Sequence, residues 1–467
     1  MSATRLEHDL LGDYQVPSNA YWGVHTARAV DNFPISGVPI GHYRSLIRAL
    51  AIVKQATAQA NFELGELPAN INEAISKACQ EVADGKFDTE FVVDAIQGGA
   101  GTSTNMNANE VIANRAIEHL GGTKGDYDLV HPLNDVNKSQ STNDVYPTAL
   151  KLALILEINE LLKAMAHLQG AFQGKADEFK DVIKMGRTQL QDAVPMTLGQ
   201  EFATFSRMTM EDIQRLQETI PLLREINLGG TAIGTGLNAP AGYAQKACSI
   251  LSKLSGFDFM VAEDMVEATQ DAGVFVMVSG VLKRIAVKLS KTSNDLRLLS
   301  SGPRAGLDEI NLPPRQAGSS IMPGKVNPVI PEVVNQIAFA VIGNDVTVTM
   351  AAEAGQLQLN AFEPIMCRAL MMSITQLRQG CYVLADACVS GITANVEKLR
   401  KSVEQSIGLV TVISPVLGYE NATIVAQKAL ADETSVREVV LELGLMTAAE
   451  FDELLGNIDA LVRPPTA

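Results

Sequence analysis

Residues 278–289 read Val278-Ser-Gly-Val-Leu-Lys-Arg-Ile-Ala-Val-Lys-Leu289. Their apolar side chains recur at intervals of three and four residues, so most of them fall within roughly a third of a helical circumference. The charged Lys283 lies on the opposite side of that helix, and so does the apolar Val287. An apolar side chain on the face that should be wet indicates that another helix covers it.

Five stretches of this kind follow one another along the chain with few helix-breaking residues inside them. They cover residues 148–180, 196–227, 263–300, 328–352 and 363–392. Long helices in succession predict a bundle, either shared between subunits or contained in one large monomeric domain. The aromatic content of 5% also favours helices, because strands prefer aromatic and β-branched side chains.

The sequence therefore predicts an all-α fold in which a long central helix bundle is flanked by smaller N- and C-terminal domains. At 467 residues the chain is too long for a single core, so three domains are expected. These are a mixed, mainly helical domain at 1–141, a five-helix bundle at 142–396 and a small helical domain at 397–467.

Two capping boxes mark helix starts in the predicted C-terminal domain. Ser435 has the spacing to pair with Glu438, and Thr447 the spacing to pair with Glu450, after a C-cap at Gly444. These signals predict a compact helical hairpin near the end of the chain.

Composition and charge limit the kinds of molecule that this protein is expected to bind. The chain is 46% hydrophobic and 19% charged, which predicts a folded soluble protein. The net charge of −16 argues against a nucleic-acid partner, because binding to phosphates needs a basic surface. A dicarboxylate would also be repelled overall, so its binding would depend on a few local cations, hydroxyls and helix N-termini.

Cysteine usage and the N-terminal segment point to a cytoplasmic protein. The five cysteines include no Cys-x-x-Cys pair, and the six histidines lack metal-ligand spacing, which predicts reduced core thiols and no metal site. The segment from Met1 to Val16 is charged and lacks the apolar core of an export signal. No apolar run approaches the roughly eighteen residues that span a bilayer, so no membrane partner is expected.

Three polar segments lie ahead of or between the long helical stretches. Residues 318–328 read Gly-Ser-Ser-Ile-Met-Pro-Gly-Lys-Val-Asn-Pro and combine two hydroxyls, one cation and one amide between turn-forming glycines. This segment is the third along the chain, after a first segment at residues 98–107, with residues 139–144 close behind it in the same region, and a second at residues 186–195. Each alone has the composition of a loop or a helix cap. Together, in this order and separated by long helices, they resemble the signature segments of the aspartase/fumarase superfamily over essentially the whole chain.

Members of that superfamily eliminate an amine or a hydroxyl across a carbon–carbon bond and release fumarate. The reaction needs a base at the carbon and preformed donors around the oxygens of an aci-carboxylate. The resemblance implies that Ser319 is the base and that Lys325 and nearby backbone N–H groups stabilise its alkoxide, because a hydroxyl is otherwise a poor base. Lys325 and Asn327 would also hold the α-carboxylate of the substrate.

The resemblance implies further roles in three groups. Those expected to bind the second carboxylate are Thr102, Ser141, Thr142 and Ser320. Those expected on the leaving-group side are Asn143, Thr188 and Gln189. His25 and Arg28 match second-tier positions near the substrate entrance. From the residues alone, Ser141, Thr142 and Asn143 also fit a helix N-cap, and both interpretations hold together because a helix N-terminus is itself an anion site.

Gln189 bears on the identity of the leaving group. Fumarases typically carry His at this position, paired with a glutamate that matches Glu332. Loss of hydroxide needs a proton donor, whereas an ammonium group departs without one. A glutamine does not titrate near neutral pH, yet it accepts a hydrogen bond from an ammonium group. The resemblance thus implies reversible deamination of L-aspartate to fumarate and ammonia by anti elimination, with malate dehydration as the alternative and a non-catalytic structural role as a remote one.

The resemblance also implies a cytoplasmic homotetramer without an organic cofactor, in which each active site takes polar segments from different subunits. Some members are activated by a divalent metal, and no ligand cluster in the sequence decides that point. One departure from the family lies at residues 360–364, where many aspartases have Val-Met in place of Ala361-Phe362. That change trades volume between adjacent positions, so we expect a difference in packing.

Overall fold

The structure is a computed structural model that describes residues 3–456 and residue 462. Its helices are α1 Val24–Asn32, α2 Arg44–Glu63, α3 Ala69–Ala83, α4 Thr102–His119, α5 Thr142–Glu178, α6 Leu198–Gln217, α7 Tyr243–Ser255, α8 Met265–Gln270, α9 Gly273–Leu299, α10 Val329–Glu353, α11 Glu363–Ala387, α12 Val396–Gln405, α13 Val410–Leu417, α14 Tyr419–Ala431, α15 Val436–Glu442 and α16 Ala448–Gly456. The remaining residues of the predicted C-terminal domain, 457–461 and 463–467, lie outside the described residues.

The strands are few and short. They are β1 Thr4–Asp9, β2 Gly12–Pro17, β3 Ile183–Thr188, β4 Gln191–Thr197, β5 Glu225–Ile226, β6 Met260–Val261, β7 Ile310–Asn311 and β8 Thr393–Ala394. They form two-stranded sheets, of which β5–β6 is parallel and the other three are antiparallel. Helices therefore dominate, and the predicted all-α class is confirmed.

Two predicted helical stretches are shorter or broken in the structure. The stretch at 196–227 is helical only as far as Gln217, because Pro221 has no N–H to continue the backbone ladder. The stretch at 263–300 contains two helices, since the Asp271 carboxylate accepts a hydrogen bond from Gly273 N at 2.9 Å and so begins α9 anew. The helix ends were thus decided by local capping, which apolar periodicity does not report.

Helix α5 begins at Thr142 rather than at the predicted residue 148. Pro147 lies inside it and has no N–H to donate to the Asn143 carbonyl one turn earlier. The side-chain amide of Asn227 donates to that carbonyl instead, at 3.0 Å. A side chain from another segment therefore satisfies the group that the proline leaves open.

The chain forms two compact units, each assembled from three separate segments. The first unit contains residues 1–162, 214–286 and 339–377, and the second contains 163–213, 287–338 and 378–467. This grouping does not test the proposed division at 141/142 and 396/397, which stays a prediction.

Within the first unit, α2 packs against α3 and α7, and α3 packs against α4. The α9 and α10 segments of this unit are joined through a buried carboxylate. Asp345 accepts hydrogen bonds from Ser279 Oγ at 2.8 Å and from Lys283 Nζ at 2.6 Å. Lys283 therefore lies beside another helix.

Within the second unit, α12 to α16 pack around the β3–β4 hairpin and bury one apolar cluster. Its members include Met185, Val403, Leu409, Ile413, Val425, Val436, Val439 and Phe451. Both predicted capping boxes are confirmed, with Glu438 N donating to Ser435 Oγ at 3.2 Å and Glu450 N to Thr447 Oγ1 at 3.3 Å. Gly444 follows α15 with a φ of 65°, as its C-cap role requires.

Helix α10 carries apolar side chains on its outer surface. Phe339, Val346 and Met350 are 64%, 54% and 67% exposed, and with Ile342 they form one stripe, which we call the α10 stripe. Val287 on α9 is also half exposed, so the described chain leaves open the face that the sequence predicted to be covered.

The sequence was expected to contain no apolar segment long enough to span a bilayer, and α10 corrects that expectation. Its length and mean hydropathy of 1.2 over eighteen residues meet the criterion for a membrane span, although only as a matter of length and composition. Glu332, Asn335 and Asp345 interrupt its apolar side chains. Core helices of water-soluble bundles have the same composition, because a helix covered on most sides is apolar on most sides.

Candidate active site

Two helix N-termini meet in the first unit. Thr102 is the first residue of α4 and Thr142 the first of α5, and Asn105 Nδ2 donates to Thr142 Oγ1 at 3.1 Å. Gly101 permits the close approach, because a Cβ there would lie 2.4 Å from the ring of Tyr146. The positive end of the helix dipole at each terminus makes this corner suited to a carboxylate.

Ser141 and Asp144 cap the start of α5. Ser141 Oγ accepts from Asn143 N at 3.2 Å, and Asp144 Oδ1 accepts from Ser141 N at 3.1 Å. The other Asp144 oxygen accepts from the backbone N–H groups of Gly229 and Thr231, at 3.1 and 2.9 Å. The N-cap interpretation is therefore confirmed. Burial raises the pKa of Asp144 to about 7, while its three N–H donors act in the opposite direction.

A buried lysine, which the sequence analysis missed, is connected to this corner by hydrogen bonds. Lys54 Nζ donates to Asn137 Oδ1 and to Gln140 Oε1, both at 2.9 Å. Asn137 Oδ1 also accepts from Asn105 Nδ2 at 3.1 Å, so hydrogen bonds run from Lys54 to Thr142. Burial lowers the pKa of Lys54 to about 7. The available signal was a charged residue on the apolar face of a helix.

His25 and Arg28 lie on α1, whose N-terminus is held by the buried Glu110 of α4. That carboxylate accepts from the backbone N–H groups of Gly23 and His25, both at 2.8 Å. The Arg28 guanidinium binds both oxygens of Asp9, at 2.8 and 2.9 Å. Burial lowers the pKa of His25. In this chain Arg28 is thus engaged by a carboxylate, and its second-tier role stays a prediction.

Thr188 and Gln189 lie at the tip of the β3–β4 hairpin in the second unit. Thr188 pairs with Gln191, which leaves Gln189 and Leu190 as the two turn residues, with φ of 53° and 65°. Turns of this kind favour Asn or Gly, so side chains with a Cβ are held here against their preference. The tip is exposed, and no hydrogen bond joins Gln189 to Glu332 within the described residues.

The segment at 318–328 forms a loop that ends where α10 begins. Ser319 Oγ accepts hydrogen bonds from Ile321 N at 3.1 Å and from Met322 N at 3.0 Å. Two N–H dipoles aimed at one hydroxyl oxygen lower the free energy of a negative charge on it. Gly318 N donates to the Lys325 carbonyl at 2.7 Å, and a Cβ on Gly318 would lie 2.5 Å from that oxygen. Glycine is therefore required where the loop closes on itself.

The other predicted residues of the loop differ in their surroundings. Asn327 Nδ2 donates to the Gly318 carbonyl at 2.8 Å, which fixes the end of the loop. Ser320 and Lys325 are exposed, and the Lys325 ammonium makes no hydrogen bond or ion pair with any described residue. The structure thus gathers Thr102, Ser141, Thr142 and Asn143 at one corner of the first unit. In the second unit it places the hairpin tip and the loop as two separately built elements.

Among residues 3–456 and 462, no group of three or more His, Cys, Asp or Glu side chains is placed to hold a metal ion. All five cysteines are buried free thiols, as predicted.

Comparison with known proteins agrees with these motifs. A family model described as "Lyase" matches residues 12–343, and one described as "Fumarase C C-terminus" matches residues 409–459. The aspartate ammonia-lyase of Pseudomonas aeruginosa is 57% identical over 456 residues, which cover 97% of this chain and 96% of that protein. The aspartate ammonia-lyase of Escherichia coli K12 is 54% identical, with 98% and 96% covered.

Solved structures show the same fold. The fumarate lyase:delta crystallin from Brucella melitensis bound to cobalt has a TM-score of 0.95 and 55% identity, covering 98% of this chain and 99% of that one. The class II fumarase from Schistosoma mansoni has a TM-score of 0.93 and 36% identity, covering 99% and 100%. The chain belongs to the aspartase/fumarase superfamily of lyases.

Proposed function

We propose that this chain catalyses the reversible deamination of L-aspartate to fumarate and ammonia, as a carbon–nitrogen lyase. The observation that carries the assignment is identity of 54–57% over nearly the whole length to two aspartate ammonia-lyases. The fumarase of similar fold is only 36% identical. Fold alone does not separate the two reactions, so the choice also depends on the residue at the leaving-group side.

The proposed reaction is an anti elimination with Ser319 as the base. Its alkoxide takes a proton from the β-carbon of aspartate, and the electron pair passes into the adjacent β-carboxylate to give an aci-carboxylate. The carbon–nitrogen bond then breaks, the double bond of fumarate forms, and ammonia leaves. The two N–H donors on Ser319 Oγ support this role, because they stabilise the charged form of the base.

The carboxylate groups of the substrate would bind to two different sets of donors. Lys325 and Asn327 would hold the α-carboxylate, which lies on the carbon that carries the amine, whereas the charge of the aci-carboxylate develops on the other carboxylate, next to the proton that is removed. Thr102, Ser141, Thr142 and Ser320 would hold the other carboxylate. The meeting of the α4 and α5 N-termini favours the second assignment, because the positive ends of two helix dipoles are already placed there before any ligand arrives.

Asn143, Thr188 and Gln189 would line the side from which ammonia departs. The amide of Gln189 does not titrate near neutral pH, so it offers no acid for loss of hydroxide. An ammonium group needs none, since it carries its proton already. The hairpin tip is therefore suited to release of ammonia rather than of water.

We further propose that the chain works as a homotetramer whose active sites take polar segments from different subunits. The α10 stripe supports self-association, because a folded protein rarely leaves such a row of large apolar side chains in water. Sedimentation velocity should give a single species of four chains. A monomer at micromolar concentration would contradict this part of the proposal.

We also propose a cytoplasmic enzyme that needs no organic cofactor and has no nucleic-acid or membrane partner. Enzyme dialysed against a chelator and then freed of it should retain turnover, and the addition of magnesium would report whether a divalent metal activates it.

Fumarate has an ultraviolet absorbance that aspartate and malate lack, so its formation is the direct test of the reaction. Purified protein should form fumarate from L-aspartate and little from L-malate. Activity with malate and none with aspartate would replace the assignment by a fumarase. Activity with neither, in a protein that remains a folded tetramer, would leave only a structural role.

A further inference from the structure

Four side chains of alternating charge lie beside the β3–β4 hairpin of the second unit. Lys184 Nζ lies 2.8 Å from Glu309 Oε2 and also contacts the Glu201 carboxylate. The Arg187 guanidinium binds the other Glu309 oxygen, Oε1. Lys184 and Glu309 are only 2% and 3% exposed, whereas Arg187 is partly exposed. Two cations and two carboxylates balance, so the buried group carries no net charge.

Both cations reach one carboxylate because β3 is irregular. Side chains three positions apart in a regular strand point to opposite faces of the sheet. The register of β3 with β4 shifts just before Arg187, at Gly186, where a Cβ would lie 2.9 Å from the Val194 carbonyl oxygen. Such an irregularity re-aims the side chains that follow it. Lys184 and Arg187 can therefore share a partner that a regular strand would deny them.

The backbone of Glu309 is held in place by hydrogen bonds of both its N–H and its carbonyl group. Its N–H donates to the Leu299 carbonyl at 2.8 Å, and its carbonyl accepts from Asn395 N at 2.9 Å. The next residues, β7, pair with β8. The carboxylate thus projects from a backbone that does not depend on the hairpin.

Stability alone does not explain this group of charges. Desolvation of buried ions offsets most of their attraction, and apolar side chains would hold two segments together at least as well. A carboxylate shared by two cations instead fixes the orientation of a side chain. Here it fixes the guanidinium of Arg187, the residue before Thr188. The turn beyond Thr188 is strained at Gln189 and Leu190, and strained turns persist only where their surroundings hold them.

We propose that Glu309 is a positioning residue that holds Arg187 and, through it, the Thr188–Gln189 turn in the orientation that receives the amine of the substrate. The inference rests on the proposed function, because that function places this turn at the leaving group. Neutralising residue 309 leaves two cations with one carboxylate and frees Arg187 to move towards water. Recognition of ammonia should then weaken, while recognition of fumarate should not.

The test uses the full-length enzyme in the reverse direction, with fumarate and ammonia varied separately. In Glu309→Gln the KM for ammonia should rise about tenfold or more, with the KM for fumarate within about twofold of wild type. Arg187→Gln removes the partly exposed partner of the same contact. It should likewise raise the KM for ammonia and leave the KM for fumarate nearly unchanged. The double variant should be no worse than either single variant, because both remove one interaction.

Asp212→Asn is the matched control. Asp212 is also a 2% exposed carboxylate of the second unit, 3.2 Å from Lys288 Nζ, so its loss should lower the Tm and leave the KM for ammonia unchanged. Should Glu309→Gln fail to fold, Arg187→Gln carries the test alone. An unchanged KM for ammonia in a folded variant, or equal rises for both substrates, would overturn the inference. Wild-type protein that makes no fumarate from aspartate would instead overturn the proposed function, so the two failures are distinct.

Discussion

The corner at the α4 and α5 N-termini and the loop at 318–328 are built in opposite ways. At the corner, Thr142 is buried and is joined by hydrogen bonds through Asn105 and Asn137 to the buried Lys54. The loop is largely exposed, and most of its hydrogen bonds close on the loop itself, such as those that Ser319 Oγ accepts.

The difference indicates how the two regions contribute to the proposed reaction. A cradle made of helix termini over a buried network binds charge without rearrangement, which reduces the free energy needed to orient donors. A loop that carries the base and is held only by local bonds can move, and exclusion of water then has to come from its surroundings. Changes in the loop should therefore affect turnover, and changes at the corner should affect affinity and stability as well as turnover.

The largest effect is expected for Ser319→Ala. Removing the proposed base should lower kcat by several orders of magnitude while the affinity for substrate is largely kept, because the carboxylate donors remain. Single-turnover kinetics and a binding titration with fumarate would measure the two quantities. Near-normal turnover would exclude serine as the base.

A smaller loss is expected for Lys325→Met. The exposed ammonium would become a ligand of the α-carboxylate, and a charged hydrogen bond is worth up to about 3 kcal/mol, so kcat/KM should fall by about 10²-fold. The Tm should not change, because the side chain makes no bond within the described chain. Lys401→Met, at another exposed lysine of the second unit, is the control and should behave as wild type. Equal losses in the two variants would make the effect one of general charge.

Thr142→Val probes the corner and should cost less. It removes the hydroxyl that accepts from Asn105, so stability should fall by about 1–2 kcal/mol. The KM for aspartate should rise severalfold and kcat should fall as well, because charge develops on the carboxylate that this corner would hold. Thr148→Val is a matched control, because Thr148 is also a buried threonine of α5, with a hydroxyl that bonds the Asp144 carbonyl. A rise in KM in both variants would show that the corner binds no carboxylate directly.

The last prediction concerns stability alone, through pH and the buried Glu363 of the first unit, and leaves the reaction itself least affected. Burial raises its pKa from 4.5 to about 8, so the folded state holds a proton that the unfolded state releases between those values. The contribution of this carboxyl to stability is therefore present below about pH 4.5 and is lost as the pH rises towards 8.

Glu363→Gln should flatten that dependence, which Tm values at pH 5 and pH 8 would measure. The exposed Glu353→Gln should leave the wild-type slope unchanged. A slope unaffected by Glu363→Gln would mean that this carboxyl is ionised in the folded chain.

Particular residues show how far sequence reasoning reached. The all-α class, both capping boxes and the N-cap at Ser141 were predicted correctly, because each depends on residues within one or two helical turns. The predicted helical stretch at 263–300 was wrong at Asp271, where a helix restarts, and the hairpin at residues 183–197 was not predicted. Lys54 and Glu110 were missed because their partners lie far away in sequence, at Asn137 and at Gly23.

The sequence by itself determined the family, the helical class and the types of side chain that the chemistry needs, since these follow from local composition and spacing. Only the tertiary structure decided which side chains share a corner, which carboxylate supports the hairpin and which apolar face stays uncovered. The physical reason is that hydrogen bonds and burial act between segments separated by up to hundreds of residues. Lys184 and Glu309 form an ion pair in the structure although they lie far apart in the sequence.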